Sequence, residues 1–298
     1  MIIQRRLGNT ELKVSVIGLG TWQFGGEWGK DFTQEEVDAI LRRAEELGIN
    51  LLDTAECYGD HLSEALIGSA LRGRREHWII ATKFGHRFHG FMQRSEPRTP
   101  ADVQRQLDDS LRALRTDYID IYQYHSVRND EFDDPGVREI LQRAKKAGKI
   151  RHIGASISPP DNIYQTDGAT AANVQVIQVV YNRLQREAEE KVLPSCRKQD
   201  LGVLARVPLA SGLLSGKYRP GAAFGANDFR STQDSARMEQ RLAEVERIAR
   251  EEVPPEVPMA QWALAWCLRH PAISAVIPGC KSVEQVESNA RAALLIKA

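Results

Sequence analysis

Short apolar runs alternate with stretches in which apolar residues recur every three or four positions, from Ser15 to the C-terminal segment. The runs predict strands at Ser15–Gly20, Ile49–Asp53, Trp78–Thr82, Tyr118–Tyr124, Ile150–Ala155, Val174–Val180, Gly202–Arg206 and Ala275–Pro278. Most are continuously apolar, as expected of strands buried on both faces of a parallel sheet. The intervening stretches read as helices. From Gln34 to Leu47, the residues Val37, Ile40, Leu41, Ala44 and Leu47 share one face. Thr33 with Glu36 forms a capping box at its start, and Gly48 supplies the stop. Thr99-Pro100 and Asp134-Pro135 each place a proline just after an N-cap. Ser282 with Gln285 opens the last helix as a capping box, and helices near 233–250 and 258–269 precede the eighth strand.

Eight strands, each followed by helix, predict an α/β protein: a single (β/α)8 TIM barrel occupying residues 1–298 as one domain. A doubly wound sheet has the same alternation and is the competing fold. Ile2–Arg6 and Thr10–Val14, around Gly8-Asn9, read as an N-terminal β-hairpin outside the barrel. The least patterned segments, 84–98 and 211–233, follow strands and so belong to long loops on the C-terminal face.

Composition narrows the function. The 298 residues carry 40 Lys+Arg against 40 Asp+Glu, so the basic excess expected of a nucleic-acid binder is missing. A hydrophobic content of 42% is enough for a substantial core. Cys57, Cys196, Cys267 and Cys280 lie far apart, which argues against a zinc site or disulfide scaffold and for a reducing compartment. No apolar run approaches ~18 residues and no signal peptide is evident, so the expectation is a soluble cytoplasmic protein without a membrane span or metal.

Familiar nucleotide motifs fail. Gly18 and Gly20 satisfy two of the three glycines of GxGxxG, but Gln23 stands at the third. Gly29-Lys30 has Phe24 and Asp31 where a P-loop requires Gly and Ser/Thr. What remains is a set of polar residues at successive strand ends: Asp53 after the second strand, Lys83 after the third and His125 after the fourth. Barrel topology brings these ends to one mouth, where Tyr58 can reach them. An ammonium beside a phenol favours the phenolate and should lower the tyrosine pKa. Such a tyrosine can give a proton to a carbonyl oxygen, with a histidine orienting that oxygen. Singly, Asp53 and Lys83 read as a structural ion pair, His125 as a structural hydrogen-bonder and Tyr58 as a half-buried aromatic. Their convergence favours catalysis.

At this point the chain resembles the aldo-keto reductase family, barrel enzymes that use NADPH without a Rossmann domain. Asp53-Thr54-Ala55-Glu56-Cys57-Tyr58-Gly59, with Ser63-Glu64 and Gly68, is similar to its DTAxxYGxxxSExxxG pattern. Ala81-Thr82-Lys83 is similar to its lysine strand, and Asp120 through His125 to its histidine strand. The resemblance implies Tyr58 as general acid/base, Lys83 and Asp53 as its tuning pair and His125 as the carbonyl-orienting group. It implies small aldehyde or ketone substrates, reduced reversibly to alcohols. Trp22, Phe24 and Trp28 are expected to wall the substrate pocket.

For the cofactor, NADP(H), the resemblance implies contacts from Gly20, Thr21, Trp22 and Asp53 at the nicotinamide ribose, and from Ser156 and Gln178 at the carboxamide. Ile157 stands where members often have Asn. Arg206, in the segment running through Pro208 and Leu209, takes the place of an aromatic that stacks on the nicotinamide. The bland alternative pairs Arg206 with an acid at the barrel mouth. Gly212 and Lys217 belong to a loop resembling the belt over the pyrophosphate. Gly279, Lys281, Ser282, Gln285 and Asn289 are similar to the 2′-phosphate segment, where a helix N-terminus favours an anion; Gly279 and Gln285 replace basic residues found in some members.

Two other readings carry forward. One is an NADPH-binding regulatory protein resembling potassium-channel β subunits, with little turnover. The other is a barrel enzyme acting on phosphorylated substrates through the Lys281 segment. A monomer is the expected state, and the sequence does not name a substrate.

Overall fold

The structure is a computed structural model and describes residues 2–296. Among these residues the strands are β1 (Gln4–Arg6), β2 (Lys13–Ser15), β3 (Leu19–Gly20), β4 (Leu51–Asp53), β5 (Ile79–Phe84), β6 (Arg87–Gly90), β7 (Gln93–Ser95), β8 (Ile119–His125), β9 (Ile150–Ser156), β10 (Val174–Val180), β11 (Gly202–Arg206) and β12 (Ala275–Val276). The helices are α1 (Gln34–Glu46), α2 (Leu62–Ala70), α3 (Pro100–Ala113), α4 (Asn129–Phe132), α5 (Pro135–Lys146), α6 (Ile163–Asp167), α7 (Val192–Lys198), α8 (Ser235–Glu251), α9 (Met259–Leu268) and α10 (Val283–Arg291).

Eight strands form one parallel sheet in the order β3-β4-β5-β8-β9-β10-β11-β12. The first and last meet through parallel bridges Ile17–Val276 and Gly20–Gly279. Gly18 N donates to Val276 O at 2.8 Å and Val276 N to Val16 O at 2.9 Å, closing the ring. A closed ring has no switch point, so the fold is the (β/α)8 barrel and not the doubly wound sheet. No helix among the described residues is long and apolar enough to cross a membrane. The four cysteines are buried and free.

The helices pack as their apolar stripes require. Val37, Ile40, Leu41 and Ala44 are the buried face of α1, and both halves of the Thr33/Glu36 capping box form. Thr99 and Asp134 cap α3 and α5 ahead of their prolines. At α10 the expected box is only half made. Ser282 Oγ accepts from Gln285 N, but Gln285 Oε1 accepts from Lys281 N, outside the N-cap.

The N-terminal hairpin is present with shifted bounds. Ser15 pairs with Gln4 as the end of β2 instead of opening a barrel strand. Its Oγ donates to Ile17 O at 2.7 Å, and its N donates to Asn50 Oδ1 at 2.7 Å, where the chain turns from hairpin into barrel. The first barrel strand is therefore regular only at Leu19–Gly20. Leu7, Leu12 and Val14 from the hairpin pack with Leu51, Ala81, Ile121, Val176, Leu204 and Ala275, so the hairpin plugs the N-terminal end of the barrel. A further difference lies in segment 84–98, which contains the antiparallel β6–β7 hairpin. Its strands are short and polar, and carry no alternating apolar signal.

Candidate active site

Strand side chains point alternately inward and outward, so residues two apart share a face. The apolar interior layer is Leu51, Ala81, Ile121, Val176 and Leu204, with Ala275. Two residues further along the same strands stand Asp53, Lys83, Gln123, Gln178 and Arg206. One pleat of the barrel thus changes from wholly apolar to strongly polar, and His125 stands one pleat above Gln123.

Lys83 is the hub of this layer. Its Nζ donates to Asp53 Oδ1 at 2.7 Å, to Thr54 O at 2.7 Å and to the Tyr58 hydroxyl at 3.3 Å. The residue is only 1% exposed and Asp53 3%. The second oxygen of Asp53 accepts from Gln178 Nε2 at 2.6 Å and Gln123 Nε2 at 3.3 Å. Gln178 Oε1 in turn accepts from Ser156 Oγ at 3.2 Å.

The turn that presents Tyr58 is anchored beneath it. Ser63 Oγ donates to Thr21 O at 3.1 Å and accepts from Thr54 Oγ1 at 3.0 Å. Buried Glu64 accepts from Thr82 Oγ1 at 2.6 Å and pairs with His61 Nδ1 at 2.5 Å. The serine and glutamate that follow Tyr58 in the sequence are therefore structural pins for the catalytic candidate.

The electrostatics correct one expectation. Burial pushes the Tyr58 hydroxyl up to about 12, and the Lys83 ammonium pulls against this without overcoming it. Tyr58 is thus firmly protonated at neutral pH. Burial also opposes the charge on Lys83, but Asp53 and Tyr58 raise it above its ordinary value, so the ammonium persists. His125 is held well below the usual imidazole value, first by burial and then by His86, Lys83, Arg206 and Arg94. It is neutral, with its ring centroid 6.4 Å from that of Tyr58.

A single cavity of about 1010 Å³ opens above this layer. Tyr58, His125, Cys57, His86 and Arg94 line it, as do Lys281, Ser282, Gln285 and Asn289. Gly20, Thr21, Trp22, Asp53, Gln178, Arg206, Pro208, Leu209, Gly212, Lys217 and Gly279 line the same cavity. Two expected site residues stand behind the wall: Lys83 beneath Tyr58, and Ser156, 2% exposed, beneath Gln178. Trp22 and Trp28 wall the cavity with Phe229, whereas Phe24 is 1% exposed and packs on Phe32 in the core. Tyr124 packs on Phe84 and Phe132 and Tyr181 on Trp266, and neither lines the cavity.

Among the described residues, several polar atoms around the cavity have no protein partner. Arg206 donates from Nη2 to Ile157 O at 3.2 Å, while its buried Nε is unpartnered. The expected alternative, an acid paired with Arg206, does not occur among the described residues. Asn289 Nδ2 and Gln23 Oε1 are likewise buried without partners. The 211–233 segment crosses the cavity mouth and is tied to the loop after β3 by the Trp28–Asp228 bridge and Gly29 N to Asn227 O at 2.9 Å. Lys281 is pulled below its usual pKa by burial and by the neighbouring Arg230, Lys30 and Lys217, against the pull of Asp228.

Sequence reasoning missed Gln23, Glu27, His86, Arg94 and Gln123. Only Gln123 had a readable signal, since it shares an inward face with Ile121 and His125. Gln23 occupies the space above Gly279, where an added Cβ would lie 1.9 Å from Gln23 Nε2. Among the described residues no group of three or more His, Cys, Asp or Glu is placed to hold a metal ion.

The closed parallel barrel thus carries a Tyr-Lys-Asp-His cluster at the C-terminal ends of its strands. The aldo/keto reductase family matches residues 16–297, and the chain belongs to that family. It is 33% identical over 293 residues to the uncharacterized oxidoreductase YqkF of Bacillus subtilis, spanning 97% of this chain and 90% of that protein. It is 31% identical over 305 residues to the NADH-specific methylglyoxal reductase of Escherichia coli, spanning 96% of this chain and 92% of that protein. The holo form of aldo-keto reductase AKR11C1 from Bacillus halodurans superposes with a TM-score of 0.81 at 33% identity, over 98% of this chain and 91% of that one.

Proposed function

We propose that the chain, as one domain, is an NADPH-dependent reductase of aldehydes and ketones, reversible in direction, with Tyr58 as general acid/base. The observation that carries this reading is the Lys83 ammonium joined at once to Asp53 and to the Tyr58 hydroxyl at the floor of a cavity. A carbonyl oxygen between Tyr58 and His125 meets a protonated phenol and a neutral imidazole. As the oxygen gains negative charge, Tyr58 delivers its proton, and the phenolate that remains faces Lys83. Asp53, held on both oxygens, keeps Lys83 in place. His125 fixes the direction of the carbonyl.

A bound dinucleotide supplies the hydride. The residues fit it: among the described residues Arg206 Nε and Asn289 Nδ2 are buried without acceptors, and Gln178 lines the cavity beside them. Gly20, Thr21, Trp22, Pro208, Leu209 and Gly212 would pack around it, with Ser156 steadying Gln178 from behind. Lys281 with Ser282 and the α10 N-terminus favours a phosphate, and Lys217 adds charge. This supports NADPH over NADH, although one relative is named for NADH specificity.

The test is an oxidation assay with NADPH and NADH over aromatic aldehydes, methylglyoxal, sugars and ketones. NADPH should give the higher kcat/KM. Tyr58→Phe should lower turnover by about 100- to 10,000-fold while still quenching bound NADPH fluorescence. Full turnover in that variant overturns the assignment.

A further inference from the structure

The polar pleat of the barrel does not balance its charge. Lys83 is paired with Asp53 at 2.7 Å. Around the cavity, Arg94 is paired with Glu27, and Glu96 lies 3.0 Å from Arg98. Arg206 remains. It points inward at the level of Asp53 and Gln178, lines the same cavity as Tyr58 and, among the described residues, has only the Ile157 carbonyl as hydrogen-bond partner. Its Nε is buried and unsatisfied, and no carboxylate among the described residues pairs with it. Burial lowers the Arg206 pKa, and the two groups that act against this are Tyr58, which is protonated, and Asp53, which is already held by Lys83 and Gln178.

We infer that Arg206 selects the redox form of the dinucleotide, favouring the reduced form, whose nicotinamide ring is neutral, over the oxidised form, whose ring is cationic. The inference rests on the cofactor reading above. Its physical basis is that a fixed, poorly solvated charge repels a like charge far more than it does in water. That repulsion falls on one redox form alone. A contact from Arg206 to a phosphate or an amide oxygen would instead support both forms equally.

The consequence for the reaction follows from charge balance. Tyr58 would give its proton to the carbonyl oxygen and become a phenolate as a bound dinucleotide supplied hydride to the carbonyl carbon, and the ring of that dinucleotide would carry one more positive charge afterwards. Reprotonation of Tyr58 from solvent removes the compensating anion. Arg206 then faces a cation, which promotes release of the oxidised cofactor. The same bias opposes hydride transfer on the enzyme, because tighter binding of the reduced form raises the potential of the bound couple by about 30 mV per tenfold ratio of affinities.

Dissociation constants of NADPH and NADP+ measured by calorimetry provide the test, with wild type, Arg206→Met, Arg206→Gln and Arg206→Lys. Wild type should bind NADPH about tenfold more tightly. Both uncharged variants should bring the ratio near unity, mainly by tightening NADP+, and Arg206→Lys should keep it. Either uncharged variant suffices if the other does not fold. Equal wild-type affinities, or a parallel loss of both affinities in the uncharged variants, overturns the role of Arg206 and leaves the cofactor reading intact. Failure of wild type to bind either form overturns both.

Discussion

The amide of Gln178 donates to Asp53 Oδ2 at 2.6 Å, on the opposite side of the carboxylate from Lys83, which holds Oδ1. Asp53 is thus fixed on both oxygens, and the ion pair is buried. Asp53→Asn leaves the Lys83 ammonium buried without its anion, which should cost about 3–5 kcal/mol. Asp53→Asn/Lys83→Met should regain most of that stability and remain inactive. Chemical denaturation of wild type, Asp53→Asn, Lys83→Met and the double variant checks this cycle. A double variant no more stable than Asp53→Asn would refute the account of the pair.

His125 should make stability depend on pH in a defined direction. Its folded pKa lies well below the usual 6.5, chiefly because of burial. The unfolded chain therefore takes up a proton near pH 6.5 that the folded chain refuses. The stabilisation is complete above that pH and is lost as pH falls toward the folded value, at up to about 1.4 kcal/mol per pH unit. His86 and His270 are also lowered, first by burial, and act in the same direction. His61, raised by Glu64 against its burial, acts in the opposite one. Melting temperatures of wild type and His125→Gln from pH 7.5 to about 5 isolate the share of His125. The variant should show the shallower decline, and an unchanged slope would remove His125 as a source.

How far the site could be read from the sequence follows from its pleat. Leu51 and Asp53, Ala81 and Lys83, and Leu204 and Arg206 each sit two apart on one strand face, so the polar layer was legible as strand-end chemistry. Gln123 was obscured between Tyr122 and Tyr124, which point into the helix layer and are buried there. The depth of Tyr58 was not legible either, and with it the rise in its pKa. Glu27, His86 and Arg94 come together only through loops distant in sequence, and no local periodicity records such a meeting.

The hairpin plug depends on Gly8. Its φ of +55° is left-handed, and an added Cβ would lie 2.0 Å from Gly202 N and 2.4 Å from Leu201 C. These are backbone atoms of the barrel floor and cannot move aside cheaply. Gly8→Ala should therefore cost at least ~3 kcal/mol, combining backbone strain with displacement of the plug. Cofactor affinity, set at the other end of the barrel, should change little in whatever fraction folds. Thermal unfolding with and without NADPH checks both statements, and a wild-type melting temperature would refute the close approach.

Glu27 ties together three walls of the cavity. Its side chain, 2% exposed, accepts from Trp22 Nε1 at 2.7 Å and from Met92 N at 2.9 Å, and pairs with Arg94. Its carbonyl accepts from Phe229 N at 3.0 Å. The loop after β3, the β6–β7 hairpin and the 211–233 segment therefore share one buried carboxylate residue. Glu27→Gln retains the shape but leaves Arg94 without its anion, a loss of about 1–3 kcal/mol. Loosening this wall should raise KM for the carbonyl substrate by about tenfold, because the positioning of Trp22 and Arg94 is lost. Affinity for the dinucleotide should fall by less than KM rises, since of the groups that Glu27 holds only Trp22 is among those that would pack around it, while Gly20, Thr21, Gln178, Arg206 and Asn289 keep their places. Steady-state kinetics and cofactor titration on the same preparation separate these effects. An unchanged KM, or a cofactor affinity that falls as much as KM rises, would show that Glu27 does not organise the substrate wall.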